Sequence, residues 1–380
     1  MKTLRIYLFA VLLPFVVSCA RKECGGPDFS GNPKDLTLPV MAKIFSELPL
    51  DGENMQEVHH AVSSSSGNGY DEEYMLSDMI SSPGSGVGDA FFETKASTSY
   101  ARPIRDVLAE YFSAYGATKS GADAVEACLS VLEESDIQIY WPYSESWDGE
   151  TAPVITFDPG FGSETNYGYE MEMKDGRLSV IGTITVDEEL ATSRPVWVIN
   201  TNDDAGYTPA DFFEPAGLDA NKEKGKILSI RSIKALRNYD SWFGGASEFF
   251  VKCGAVDGFR ASEEADMRDY SPGVTDCMIV VRRNQIGRLI PFDALLLTDY
   301  TSQMEKIAFL ITEDDGGTRT SWDCEAVVKV ESKSYGFNLK IPYNEKDDIV
   351  WRGQLSSAFF GDQTIIKGRF GDMEISFSLL

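Results

Sequence analysis

The side chains able to do chemistry are unevenly supplied in this sequence of 380 residues. Acids dominate, with 60 Asp and Glu against 34 Lys and Arg, and there are two histidines. These are adjacent, His59 and His60. Neighbours on a helix point about 100° apart, so the pair cannot chelate a metal as residues at i and i+4 do. A zinc-protease HExxH motif is absent. A Ser–His–Asp or Cys–His nucleophile system would have to take its base from this pair, and no Gly-x-Ser-x-Gly elbow accompanies it. Both histidines are expected to face solvent. No phosphate-cradling glycine loop follows a strand pattern, so nucleotide binding has no support.

The acids offer two sharper candidates. One is Glu313-Asp314-Asp315-Gly316-Gly317, directly after a strand pattern. The other is Asn344-Glu345-Lys346-Asp347-Asp348. Hard cations such as Ca²⁺ take six to eight oxygens, often from Asp on glycine-containing loops. If both loops reach one end of a sandwich, Glu313, Asp314, Asp315, Asp347 and Asp348 could converge on one ion, as in the calcium loops of C2-like sandwiches. Neither loop has EF-hand spacing. The competing reading is ordinary hairpin turns, where Asp and Gly serve the backbone. Asp203-Asp204 is a weaker candidate of the same kind. The run Trp141-Pro142-Tyr143-Ser144-Glu145-Ser146-Trp147 beside Asp148 could stack a sugar, but aromatics chiefly serve burial, and the core reading is preferred.

The front of the chain carries an address. Lys2 and Arg5 precede an apolar run from Ile6 to Val17, about the length of a signal core and too short to span a membrane. It ends in Val16-Val17-Ser18-Cys19. This three-part pattern resembles the lipobox of bacterial lipoproteins, with Val16 where that family usually has Leu. The resemblance implies that Cys19 takes a diacylglyceryl group and becomes the mature N-terminus. Two or three acyl chains anchor firmly where one would hold only marginally. Ala20, rather than Asp, after the cysteine is similar to the outer-membrane sorting pattern.

Removing residues 1–18 takes away Lys2 and Arg5 and no acid, so the net charge of −26 becomes about −28. Binding to nucleic acid or to an anionic lipid surface runs on Lys and Arg, so this balance argues against both. Cys24, Cys128, Cys253, Cys277 and Cys324 are widely scattered with no CxxC, which argues against a zinc ribbon or a redox pair. Export allows one or two disulfides.

These residues need elements to hold them. Residues 19–33, rich in Gly, Pro and Asn, read as a flexible tether. Met41, Ile44, Phe45 and Leu48 keep helical spacing, which Ser63–Ser66 is expected to interrupt. Ile104, Val107, Leu108, Tyr111, Phe112 and Tyr115 form a longer stripe opened by Pro103. Val125, Cys128, Leu129 and Leu132 form a second, and the two are expected to pack as a hairpin with Cys128 in the core. The period then changes. Ile137–Tyr140, Val154–Phe157, parts of Leu178–Val186 and Val196–Ile199 read as strands, and 201–225 as a linker or long loop. After 226, eight strand patterns with Gly and Asp turns favour an antiparallel sandwich; Met373, Ile375, Phe377 and Leu379 alternate with Glu374, Ser376 and Ser378.

The expectation is an α+β chain: a signal over 1–18, a tether over 19–33, a helical region over 34–136, a small β unit and linker over 137–225, and a β-sandwich over 226–380. Function is expected to be a lipid-anchored cell-envelope binding or adhesion module at the outer membrane, non-enzymatic, with its ligand unread and Ca²⁺ the candidate cofactor. The alternative is a hydrolase of glycan or peptide that works through carboxylates or a metal.

Overall fold

The computed structural model describes residues 26–81, 100–116, 121–202, 226–361 and 364–380. Cys19, Cys24, Asp203 and Asp204 lie outside these residues.

The N-terminal half builds helices on one face of a sheet. Helix α1 (Leu38–Glu47) carries Pro39 in its first turn, where the missing N–H costs nothing. Its stripe, Met41, Ile44 and Phe45, is buried together with Leu48 just beyond it. Helix α2 (Gly52–Gly67) starts at a reciprocal capping box between Asp51 and Asn54. It runs straight through Ser63–Ser66, where the serine run predicts a break. Serine is only mildly unfavourable in a helix, and Val58 and Val62 hold this one on the core. Then follow β1 (Glu73–Met75), α3 (Leu76–Ile80) and the helices α4 (Ile104–Gly116) and α5 (Gly121–Glu133), which pack together with Cys128 buried.

Strands β2 (Ile137–Tyr140), β3 (Val154–Phe157), β4 (Asn166–Lys174) and β5 (Arg177–Val186), a short helix α6 (Glu188–Ala191) and β6 (Val196–Thr201) complete this half. The sheet order is β1-β2-β6-β3-β4-β5, with β3 and β6 parallel and the other pairs antiparallel. Strands β2, β3 and β6 are largely apolar runs because both faces are covered. One face, with Ile139, Ile155, Trp197 and Ile199, shares a core with the helices. The other, with Tyr140, Val154, Val196 and Val198, is covered by Trp242 and Phe243 from the second half. The helical region and the β unit therefore have one core. Residues 26–33, the end of the expected tether, are docked on it: Phe29 is buried edge-on to Phe112, and the Gly26 N–H donates to Tyr169 Oη at 3.2 Å.

The second half contains ten strands among the described residues: β7 (Lys226–Ala235), β8 (Ser247–Ala255), β9 (Gly273–Val281), β10 (Ile290–Tyr300), β11 (Met304–Glu313), β12 (Arg319–Val330), β13 (Lys333–Asn344), β14 (Asp348–Ser356), β15 (Ile365–Phe370) and β16 (Met373–Leu379), with a turn of helix α7 (Ser357–Phe360) before β15. One sheet has the order β10-β7-β16-β15; the other has β13-β12-β11-β8-β9, with β14 also paired to β11. All pairs are antiparallel, and both sheets share one core centred on Phe309, Phe360, Phe370 and Phe377. The chain is thus α+β with an antiparallel sandwich. Met373, Ile375, Phe377 and Leu379 all point into it.

Candidate metal centre

Strand β11 sends Ile307, Phe309 and Ile311 into the sandwich, and the next residue of the same parity is Glu313. It sits at the end of the core, between Phe249 of β8 and Asp348 of β14 in the ladder. Glu313 is wholly buried, at 0% exposure, and neither of its carboxylate oxygens accepts a hydrogen bond. Burial holds its carboxyl far above the usual range; the adjacent Asp240 carboxylate adds to the rise by sharing a proton with it and by repulsion, Asp315 adds repulsion, and the nearby Ser247 opposes them.

Two groups of acids share Glu313. In the first, oxygens of Asp240, Glu248 and Glu313 lie within 4.8 Å of one another; in the second, those of Glu313, Asp315 and Asp348 do. Calcium–oxygen bonds of 2.3–2.6 Å allow ligand atoms on one ion to be up to about 5 Å apart, so each spacing fits a single cation. The inner group is buried or half-buried, whereas Asp315 and Asp348 are exposed. Oδ2 of Asp240 also lacks a partner. Asp240 and Asp315 are both raised, chiefly by burial. Nearby positive charge comes from Arg283, which lowers Asp240, and Lys346, which lowers Asp315.

The two expected loops do meet, at one end of the sandwich. Glu313, Asp315 and Asp348 converge there. Asp314 and Asp347 belong to neither group and instead shape the turns. Asp314 Oδ1 accepts from Asn344 Nδ2 at 2.9 Å and Gly316 N at 3.0 Å, and Asp347 Oδ2 accepts from Asn344 N at 2.8 Å. Burial pushes the Asp347 carboxyl up to about 6, with the Asp314 carboxylate adding to the rise and the buried Lys252 opposing it. Sequence reasoning missed Asp240 and Glu248, which come from the β7–β8 connection and the start of β8. No short spacing links them to the acidic loops; only the topology does.

Comparison with protein-family models, with curated proteins and with solved structures finds no match for this chain.

The centre also touches the joint between the two halves. Asp240 lies two residues before Trp242, whose indole Nε1 donates to Glu164 O at 2.9 Å. Asn200 Nδ2 donates to Phe243 O at 3.0 Å and to Gly244 O at 2.7 Å. Buried Asp71 accepts from Ala246 N at 2.9 Å. Arg283 donates to Asp240 O at 2.8 Å and to Glu188 at 3.1 Å. The segment holding one acid of the centre is thereby pinned to the N-terminal sheet.

The other sequence candidates are mostly occupied with structure. Trp141 is buried against Trp197 and Trp147. A shallow pocket opens beside them, lined by Tyr143, Trp147, Asp148 and Arg194. Its polar groups are largely engaged within the fold: Asp148 accepts from Thr151 and Glu150, and Tyr143 Oη donates to Glu188 at 2.9 Å. His59, expected to face solvent, is half-buried against Trp141 and Trp147, with Nε2 3.2 Å from Ser144 O. His60 is exposed. Buried Glu72 accepts from Tyr143 N, Ser144 N and Ser144 Oγ; its carboxyl is pushed up to about 9 by burial first, then by Asp71 and Glu145.

Proposed function

We propose that this chain is a lipid-anchored binding module of the bacterial cell envelope whose sandwich holds a divalent cation, Ca²⁺ by its all-oxygen ligand set. Leu12 to Glu23 supports the anchor, through the lipobox resemblance at Cys19. One observation carries the cation: a wholly buried Glu313, its carboxyl set against other acids, shared by two groups of carboxylates with cation-sized spacing. A wholly buried acid is costly unless something compensates it, and an ion held by Glu313 with Asp240 and Glu248, or by Glu313 with Asp315 and Asp348, does so. Glu248 lies within the inner group. Asp315 and Asp348 form the solvent side by which the ion would exchange. The test is thermal melting of the mature protein in EGTA and in millimolar CaCl₂. A rise in melting temperature with calcium that Glu313→Gln abolishes supports the reading; identical melts contradict it. Turnover of glycan or peptide that depends on Glu313 would replace binding by the hydrolase alternative.

A further inference from the structure

The β3–β4 connection, residues 158–165, carries Phe161 at 107% exposure and φ +57°. A lone exposed apolar side chain needs no explanation by itself. Here three independent features coincide. First, Phe161 lies between Gly160 and Gly162, which also have positive φ, so a bulky residue occupies a backbone region that disfavours it.

Second, the loop is braced. Asp158 Oδ1 accepts from Gly160 N at 2.8 Å, Asn166 Nδ2 donates to Phe157 O at 2.8 Å, and Glu164 O accepts from the Trp242 indole. The ring is therefore held out rather than merely left out.

Third, the chain's exit lies at the same end of the sheet. Gly26 sits against the hydroxyls of Tyr167 and Tyr169 at the start of β4, and the Tyr167 ring packs edge-on to Phe157 at the end of β3. Phe161 is six residues from Tyr167, at most about 20 Å of chain, and Cys19 is seven residues from Gly26, at most about 25 Å.

We propose that Phe161 is a second membrane contact that enters the headgroup region of a zwitterionic phospholipid surface and sets the orientation of the body on it. This rests on the lipid-anchor reading. Asp158 and Glu164 flank the ring, so an anionic surface is disfavoured. One aromatic ring binds a bilayer weakly, but beside a covalent anchor the contact is intramolecular and its effective concentration is high.

The test uses the chain from Ala20 with an N-terminal His-tag, tethered to phosphatidylcholine vesicles that contain a nickel-chelating lipid, so that it does not depend on native acylation. Phe161→Trp is compared with the wild type, with and without doxyl-labelled phosphatidylcholine. The result expected is that most of the emission added by the Phe161→Trp substitution is quenched by shallow doxyl labels, and that Phe161→Ser shows no quenching beyond the wild type's. Full tethering with the added emission unquenched overturns the proposal. So does an added emission that shifts with protein concentration before vesicles are present, because a second copy then covers the position. Mass spectrometry of native Cys19 reports separately on the anchor: an unmodified Cys19, beside a quenched Phe161→Trp variant, removes the anchor reading and leaves the loop's lipid contact standing.

Discussion

Glu313 and Asp348 are register partners across β11 and β14, yet one is wholly buried and the other exposed. That pairing gives the acidic end of the sandwich a buried floor and an open mouth.

The floor has a consequence without calcium. Glu313 is a wholly buried carboxyl crowded against the Asp240 carboxylate, with only Ser247 beside it to ease the burial, so Glu313→Leu is expected to stabilise the metal-free protein by about 1–3 kcal/mol, the size of an unmet polar burial. Chemical denaturation in EGTA checks it. The same variant is expected to lose all response to calcium. A variant less stable than wild type in EGTA would mean that Glu313 has a structural partner.

The joint predicts coupling to the proposed cation site from a distance. Trp242 is buried, its ring centroid 3.9 Å from that of Phe243 with the planes tilted by 34°, in the core that closes the second face of the N-terminal sheet. Trp242→Ala is expected to cost about 3–5 kcal/mol. Because Asp240 lies on the same segment, calcium affinity should fall as well, although Trp242 carries no ligand atom. Asn200→Ala, which leaves two carbonyls without their donor, should cost about 1–3 kcal/mol and weaken calcium binding in the same direction. Denaturation and calcium titration of both variants check this.

Glu72 sets a pH dependence. Its carboxyl titrates near 9 in the fold, against 4.5 for an ordinary glutamate. The folded state therefore keeps a proton that the unfolded chain releases. The stabilisation from this group is complete below about 4.5 and is lost as pH rises through about 9. Glu72→Gln, which keeps an acceptor for the Ser144 N–H and hydroxyl, is expected to flatten the decline of melting temperature between those limits. An unchanged slope would show that Glu72 is ionised in the fold.

The proposed anchor rests on Cys19. Cys19→Ser is expected to move the protein from the membrane fraction to the soluble fraction. Among the described residues no helix is long and apolar enough to cross a membrane. Unchanged membrane fractionation would remove the lipid anchor.

What the sequence conveyed follows from how local each signal is. The stripe of α4 and the alternation of β16 were legible because one face of each meets the core. Strand β14 was not, because Arg352 and Gln354 give it a polar surface and its apolar residues are spaced unevenly. Strand β10 was hidden by the unalternating Leu295-Leu296-Leu297, across which its pairing with β7 shifts register. Phe29 lies in a stretch whose Gly and Pro content suggests loose chain, and its burial in the N-terminal core, edge-on to Phe112, docks it. Glu313, Asp315 and Asp348 could be named because Asp and Gly cluster in two loops. Asp240 and Glu248 could not, because their proximity is created by strand order.

Calorimetric titration of calcium into the metal-free mature protein, run beside Glu313→Gln, decides whether the acidic end of the sandwich holds an ion. Saturable binding by the wild type and none by the variant is the expected outcome. Absence of binding heat in both at several temperatures, or equal affinity in the two, would contradict it.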